Sequence, residues 1–71
     1  MPLTRLTLRQ FEAFVAVADV RGFAAAGAQM GLSSSAVSQL IAEMESTIGF
    51  RVFDRSTRRV ELSSAGRDFL A

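Results

Sequence analysis

The sequence predicts one small, mainly α-helical domain that ends in a short β-hairpin and the start of a further helix. Its first 49 residues contain three stretches with apolar residues at helical spacing, and a glycine follows each stretch. After Gly49 the pattern changes to that of two brief strands around a polar loop. A chain of 71 residues supplies one domain, which buries only about 60% of its unfolded surface.

The residue inventory excludes most kinds of catalytic and metal site. Cys and His are both absent, which removes disulfides, ordinary zinc sites and the usual nucleophile–base pairs. Lys, Tyr and Trp are missing as well, so an enzyme would have to work with Ser, Asp, Glu and Arg. We therefore expect neither an enzyme nor a cofactor or metal site.

Positive charge is concentrated in the last third of the chain. The net charge is only +1, but residues 1–49 carry −1 and residues 50–71 carry +2. Four of the five arginines of this region cluster at Arg51, Arg55, Arg58 and Arg59. We find no signal-peptide pattern and no run approaching the ~20 apolar residues of a membrane span, and we expect a soluble, cytoplasmic protein.

Capping residues and glycines predict the helix ends. Thr7 and Gln10 form a capping-box pattern before a helix over 8–20, with Leu8, Phe11 and Phe14 on its apolar side and Gly22 as its stop. A second helix spans 23–30 and ends before Gly31. The third spans about 34–48, with its apolar stripe at Val37, Leu40, Ile41, Met44 and Ile48.

The remaining residues form the predicted hairpin and a final helix. Residues 52–54 and 60–62 are predicted strands, and a polar loop of hairpin length connects them. Ser63 is a candidate N-cap for a fourth helix that contains Phe69 and Leu70. We place the main domain at 1–62 and the start of a linker or dimerisation helix at 63–71.

The second and third helices have the spacing of a helix-turn-helix. Gly27 allows the two helices to approach, Gly31 allows a positive φ in the turn, and Val37 fixes the third helix on the second. An αα-hairpin that only packs is the alternative. The basic hairpin favours a winged helix-turn-helix with its wing at about 54–60. This wing would place Arg55, Arg58 and Arg59 on DNA phosphates or in the minor groove. The alternative is that these arginines belong to a solvated turn.

The side of the third helix that lacks aliphatic groups is the predicted DNA reader. It carries uncharged polar residues that could contact bases or phosphates, namely Ser33, Ser34, Ser35, Ser38 and Gln39. Helix capping is the alternative role of the serines, and we expect only one or two of the first three to cap. Glu43 and Glu45 would have to point away from the DNA.

Taken together, these residues resemble the N-terminal domain of a LysR-type transcriptional regulator, over nearly the whole chain from Leu8 to about Leu70. The matching segments are LRQFEAFVAVA (8–18), GFAAAG (22–27), LSSSAVSQLI (32–41), IGFRVFDR (48–55) and LSSAG (62–66). Each is weak alone, but their order and separations are specific. The resemblance implies sequence-specific binding of double-stranded DNA for transcriptional regulation.

The resemblance also implies roles for single positions. Ser34 stands where the family has a base-reading Gln, Ser38 matches a family Ser, and Gln39 stands where a basic residue is common. Arg55 matches the wing arginine that grips the backbone, and Arg58 matches the arginine that enters the minor groove. Other departures from the family are Ser35 in place of Pro, Ala24 and Ala25 in place of polar residues, and Gly27 in place of Ala.

Family members continue through a long linker helix into an effector-binding domain. This chain is therefore interpreted as a truncated fragment or an excised domain, with any small-molecule effector bound by the missing part. The linker helix pairs two subunits in the family, which implies a homodimer on half-sites about one helical turn, ~34 Å, apart. Phe69 and Leu70 would either join that subunit interface or only cover the core of their own domain.

Two other protein classes remain as alternatives. A winged helix that serves as a protein–protein interaction module would lack salt-linked DNA affinity. A winged-helix regulator of another family, such as a MarR-like factor, would carry extra dimerisation helices.

Overall fold

The structure, a computed structural model, describes residues 6–54 and 60–70. Its elements follow the predicted order: α1 (Leu8–Val20), α2 (Phe23–Met30), α3 (Ser34–Ile48), β1 (Phe53–Asp54), β2 (Glu61–Leu62) and α4 (Ser64–Leu70). The three long helices pack against one another in pairs. The two strands are antiparallel, with Phe53 opposite Leu62 and Asp54 opposite Glu61. Each strand is one residue shorter than predicted because pairing begins at Phe53 and Glu61. The mainly α fold with a hairpin is confirmed.

The first helix begins at the predicted capping box. The Thr7 hydroxyl accepts the backbone N–H of Gln10 at 3.1 Å, and Gln10 Oε1 accepts the backbone N–H of Thr7 at 3.2 Å. The prediction that Gly22 ends this helix is wrong. Arg21 takes the left-handed conformation at the C-cap, with φ 57°, and donates its N–H to the Val17 carbonyl. Gly22 instead precedes α2 as its N-cap, with extended backbone.

The buried face of α1 also differs from the predicted one. Its buried residues are Gln10, Ala13, Phe14 and Val17, whereas Leu8 is 74% exposed. Phe11 and Val15 are exposed as well. Apolar residues surround much of this helix, so its periodicity did not distinguish the face that meets α2 and α3 from the face that remains open.

Phenylalanine rings connect the helices to the hairpin and to α4. Phe14 is fully buried, and its ring centroid lies 5.6 Å from that of Phe53 and 5.8 Å from that of Phe69. Phe11 and Phe50 also contact Phe69, while Phe23 contacts Phe53. Phe69 therefore packs on the core, which was one of its two predicted roles. Leu70 is 41% exposed.

Candidate nucleic-acid interface

A close backbone approach forms the turn between α2 and α3. Gly27 is buried, and a Cβ built there would overlap the carbonyl oxygen of Leu32. The Leu32 N–H donates to the Gly27 carbonyl at 2.8 Å, which fixes this approach. Gly31 has φ 71° and ends α2. Both glycines therefore have the roles predicted for a helix-turn-helix.

One of the three serines at the N-terminus of α3 caps the helix, and the other two remain exposed. Ser33 Oγ accepts the backbone N–H of Ala36 at 3.1 Å, so the first of the three serines is the cap. Ser34 and Ser35 are exposed in the first turn of the helix. Within the described part of the chain, no acceptor is bonded to their backbone N–H groups. The helix thus presents two hydroxyls and two free N–H donors at its positive end.

The open side of α3 is the side that the sequence predicted. Ser34, Ser35 and Gln39 are exposed, and Ser38 is half-buried. These four residues line one shallow depression together with Phe23 and Ala42. The apolar stripe lies on the opposite side: Val37, Ile41, Met44 and Ile48 are buried, and Leu40 is half-buried. No described part of the chain covers this polar side.

Both acidic residues of α3 are held by the protein itself. Glu45 is half-buried, and its Oε2 accepts the backbone N–H of Val52 at 2.9 Å, which joins the end of α3 to the residue before β1. Glu43 Oε1 accepts from Gln10 Nε2 of α1 at 3.4 Å. Glu45 thus faces the body of the domain, as the prediction required. Only one oxygen of Glu43 faces the body of the domain, because its Oε2 accepts from Nε2 of the exposed Gln39 at 3.4 Å.

The base of the hairpin is anchored on both sides. Ser63 Oγ donates to the Arg51 carbonyl at 2.6 Å and accepts the Gly66 N–H at 2.9 Å, while its N–H donates to the Val52 carbonyl at 3.0 Å. The predicted N-cap role of Ser63 therefore agrees with the structure. The predicted wing residues Arg55, Arg58 and Arg59 lie outside the described residues.

The sequence did not predict that Gln10 and Gly66 contribute to the candidate interface. Gln10 appeared in the sequence only as a cap of α1, and its second partner is 33 positions away. Gly66 appeared only within a matching motif, yet a Cβ there would overlap the Val52 carbonyl oxygen. Long-range contacts of this kind leave no local signal in a single sequence.

Among residues 6–54 and 60–70, no group of three or more acidic, His or Cys side chains is placed to hold a metal ion. No helix in the same part of the chain combines the length and the apolar composition needed to cross a bilayer.

Comparison with known proteins identifies the kind of domain that these features form. The sequence model of the "Bacterial regulatory helix-turn-helix protein, lysR family" matches residues 8–67. The HTH-type transcriptional regulator ShiR of Corynebacterium glutamicum is 48% identical over 65 residues, which are 92% of this chain and 22% of that protein. The chain spans between 20% and 45% of the length of these curated relatives.

Solved structures of the family have the same fold. A mutant of Corynebacterium glutamicum OxyR superposes with a TM-score of 0.87 at 33% identity, covering 93% of this chain and 21% of that one. The DNA-binding domain of CbnR in complex with DNA superposes with a TM-score of 0.83 at 33% identity, covering 90% of this chain and 74% of that one.

The fold and the open α3 face define a winged helix-turn-helix domain of a transcriptional regulator. The chain belongs to the LysR family of bacterial helix-turn-helix regulators. The family is regulatory and not enzymatic, in agreement with the inventory of side chains. This membership disfavours both the MarR-like alternative and a winged helix used only for protein–protein contact.

Proposed function

We propose that this domain binds double-stranded DNA in a sequence-specific manner to regulate transcription, with α3 in the major groove. The observation that carries the proposal is the exposed side of α3, which presents Ser34, Ser35 and Gln39 while the aliphatic stripe faces the core. A major groove about 12 Å wide admits one α-helix and displays a distinct pattern of donors and acceptors for each base pair. Relatives of the family have been solved on DNA.

Backbone phosphates are the proposed partners of the start of α3. The N–H groups and hydroxyls of Ser34 and Ser35 stand together at the positive end of the helix, where an anion is favoured. Ser33 has its oxygen occupied by the cap, so its proposed contribution is to hold this turn in place, with its hydroxyl hydrogen left for DNA. Ser38 and Gln39 lie one turn further and would reach base edges.

The wing arginines are proposed to grip the DNA backbone and the adjacent minor groove. This assignment of Arg55, Arg58 and Arg59 rests on their sequence pattern and on the anchored hairpin base that carries them. Since α3 bears no basic residue, most of the counterion release on binding would come from this segment. We therefore expect a shallower salt dependence than for a relative with arginines on its reader helix.

A second copy of the chain is the proposed partner in regulation. The apolar side chains of Leu8, Phe11 and Val15 are exposed on α1, and Leu70 is exposed at the end of α4. Exposed apolar groups of this kind indicate a surface that another element covers. We propose that residues 63–71 begin a dimerisation helix, that the DNA-binding form is a cytoplasmic homodimer, and that any small-molecule effector binds a separate C-terminal domain.

Binding to pools of random double-stranded DNA, measured at two salt concentrations, tests the proposed function. We expect affinity that falls as salt rises, together with enrichment of particular sequences after selection. Affinity without sequence enrichment would contradict the reading role of α3. No affinity at either salt concentration would contradict DNA binding itself.

Replacing Arg55 with Ala should weaken binding to all sequences by a similar factor. A phosphate contact carries no base information, and its loss should reduce the slope of log affinity against log salt by about 1. Arg67→Ala removes an exposed arginine of α4 and serves as the control, with little expected change. A sequence profile that changes in Arg55→Ala would show that this arginine reads bases.

Replacing Gln39 with Ala should change the sequence profile at one position of the site. A good base contact is worth about 1–3 kcal/mol of discrimination against the wrong base. Ser46→Ala removes an exposed polar group from the far end of α3 and should leave the profile unaltered. Identical profiles for Gln39→Ala and the unmodified chain would contradict the assignment of Gln39 as a reader.

A further inference from the structure

Glu43 is an acidic side chain at the edge of the proposed reading surface. It is exposed, it follows Gln39 by one helical turn, and a carboxylate near DNA phosphates is electrostatically unfavourable. Its two oxygens do not point freely into solvent, because Oε1 accepts from Gln10 and Oε2 accepts from Gln39, both at 3.4 Å. Glu43 thus joins a buried residue of α1 to an exposed residue of α3.

The Gln10 end of this network has a fixed orientation. Gln10 is 7% exposed and is the only buried polar side chain among the described residues. Its Oε1 accepts the Thr7 N–H within the capping box, and an amide has only one oxygen. The Nε2 group must therefore face Glu43, which gives the carboxylate a buried donor on one side.

The Gln39 end is oriented by the same logic. An ionised carboxylate only accepts hydrogen bonds, so it must meet the NH₂ group of Gln39 and not its oxygen. The structure has this arrangement, with Gln39 Nε2 as the donor to Glu43 Oε2. One N–H of Gln39 is then occupied, and its amide presents one acceptor oxygen and one remaining N–H to the groove.

We propose that Glu43 is a positioning residue that fixes the amide orientation of Gln39 and thereby makes this position of the site select adenine over guanine. This inference rests on the proposed function. Adenine offers a donor at N6 and an acceptor at N7, which match one amide oxygen and one N–H. Guanine offers acceptors at both O6 and N7. A held Gln39 has only one N–H free for them, and its oxygen would face an acceptor.

Selection from random double-stranded DNA with the Glu43→Gln variant of the 71-residue chain tests this inference. The substitution keeps the size of the side chain and can still accept from Gln10, so the fold should be retained; thermal unfolding checks this. Because Gln10 uses the single oxygen of the new amide, the new NH₂ group faces Gln39, and Gln39 is no longer held with its own NH₂ group toward position 43. We expect the preference for adenine over guanine at one position to fall about three- to tenfold, the equivalent of one hydrogen bond.

Two controls separate positioning from simple charge removal. Glu12→Gln removes an equal charge from an exposed site on α1 and should leave the sequence profile unaltered. Glu43→Gln should have no effect on the profile once Gln39 is replaced by Ala, because the residue that it positions is gone. Loss of the negative charge should also raise affinity for all sequences to some degree, and this rise should survive in the double variant.

Different results would overturn different statements. If the unmodified chain shows salt-dependent, sequence-selective binding but Glu43→Gln changes affinity without changing the base preference, the positioning role is wrong and the proposed function remains. A changed preference that persists in the Gln39→Ala background would also exclude positioning through Gln39. If the unmodified chain does not bind DNA, both proposals fail.

Discussion

Phe14→Ala should cost the domain about 3–5 kcal/mol of unfolding free energy. Phe14 is fully buried on α1, and its ring contacts Phe53 before the wing and Phe69 of α4. The space it leaves lies where α1, β1 and α4 meet, because its ring packs between those of Phe53 and Phe69. Folded proteins are stable by only about 5–15 kcal/mol, and a chain of this size lies at the low end, so we expect a largely unfolded protein.

Chemical denaturation followed by circular dichroism measures this loss, and Phe11→Ala is the matched control. Phe11 belongs to the same helix and the same ring cluster but is 38% exposed. Removal of the Phe11 ring leaves a smaller cavity and loses less buried apolar surface than removal of the Phe14 ring. The free energy of unfolding should therefore fall by about half as much. Equal losses in the two variants would show that Phe14 is not the centre of the core.

Local signals predicted the elements of this fold well. The capping box at Thr7, the turn glycine at position 31 and the serine cap at position 33 each act within four residues, and the structure has all three. Gly22 was misassigned for an equally local reason. The chain turns through a left-handed Arg21, a conformation that costs a non-glycine residue free energy and that sequence reasoning assigns to glycine first.

The buried face of α1 shows where periodicity is insufficient. Leu8 and Phe11 are as apolar as Phe14 and Val17, but only the latter pair is buried. Only tertiary packing decides between two apolar faces of one helix. Conversely, α3 has one apolar stripe and one polar side, and its orientation was predicted correctly. The exposed half of the candidate interface was therefore predictable from the sequence.

Contacts between distant positions account for what could not be predicted in the site. The sequence indicated that Glu43 and Glu45 must turn from the DNA, but it did not indicate how. Their partners outside α3 include Gln10, 33 positions before Glu43, and Val52, seven positions after Glu45. These bonds form only after α1, α3 and the hairpin have packed, so their residues have no pattern that local rules can detect.

Gly66→Ala should have the second largest effect and lower the free energy of unfolding by about 3 kcal/mol. This is the upper end of the usual cost of overpacking a core. An added Cβ would overlap the carbonyl oxygen of Val52 and lie 2.8 Å from its carbonyl carbon. That carbonyl cannot move freely because it accepts the Ser63 N–H, and the Val52 side chain is fully buried. Helix α4 would have to separate from the hairpin base, although alanine is the better helix former.

Gly22→Ala is the matched control, because it makes the same chemical change in open space. Its Cβ would have only Ala25 Cβ nearby, at 3.9 Å, and its backbone is extended, so we expect a change within about 1 kcal/mol. Thermal unfolding of both variants, with DNA affinity measured below their melting temperatures, separates loss of stability from loss of binding. A Gly66→Ala protein as stable as Gly22→Ala would show that α4 is not held against Val52, and the anchoring of the wing through Ser63 would then be wrong as well.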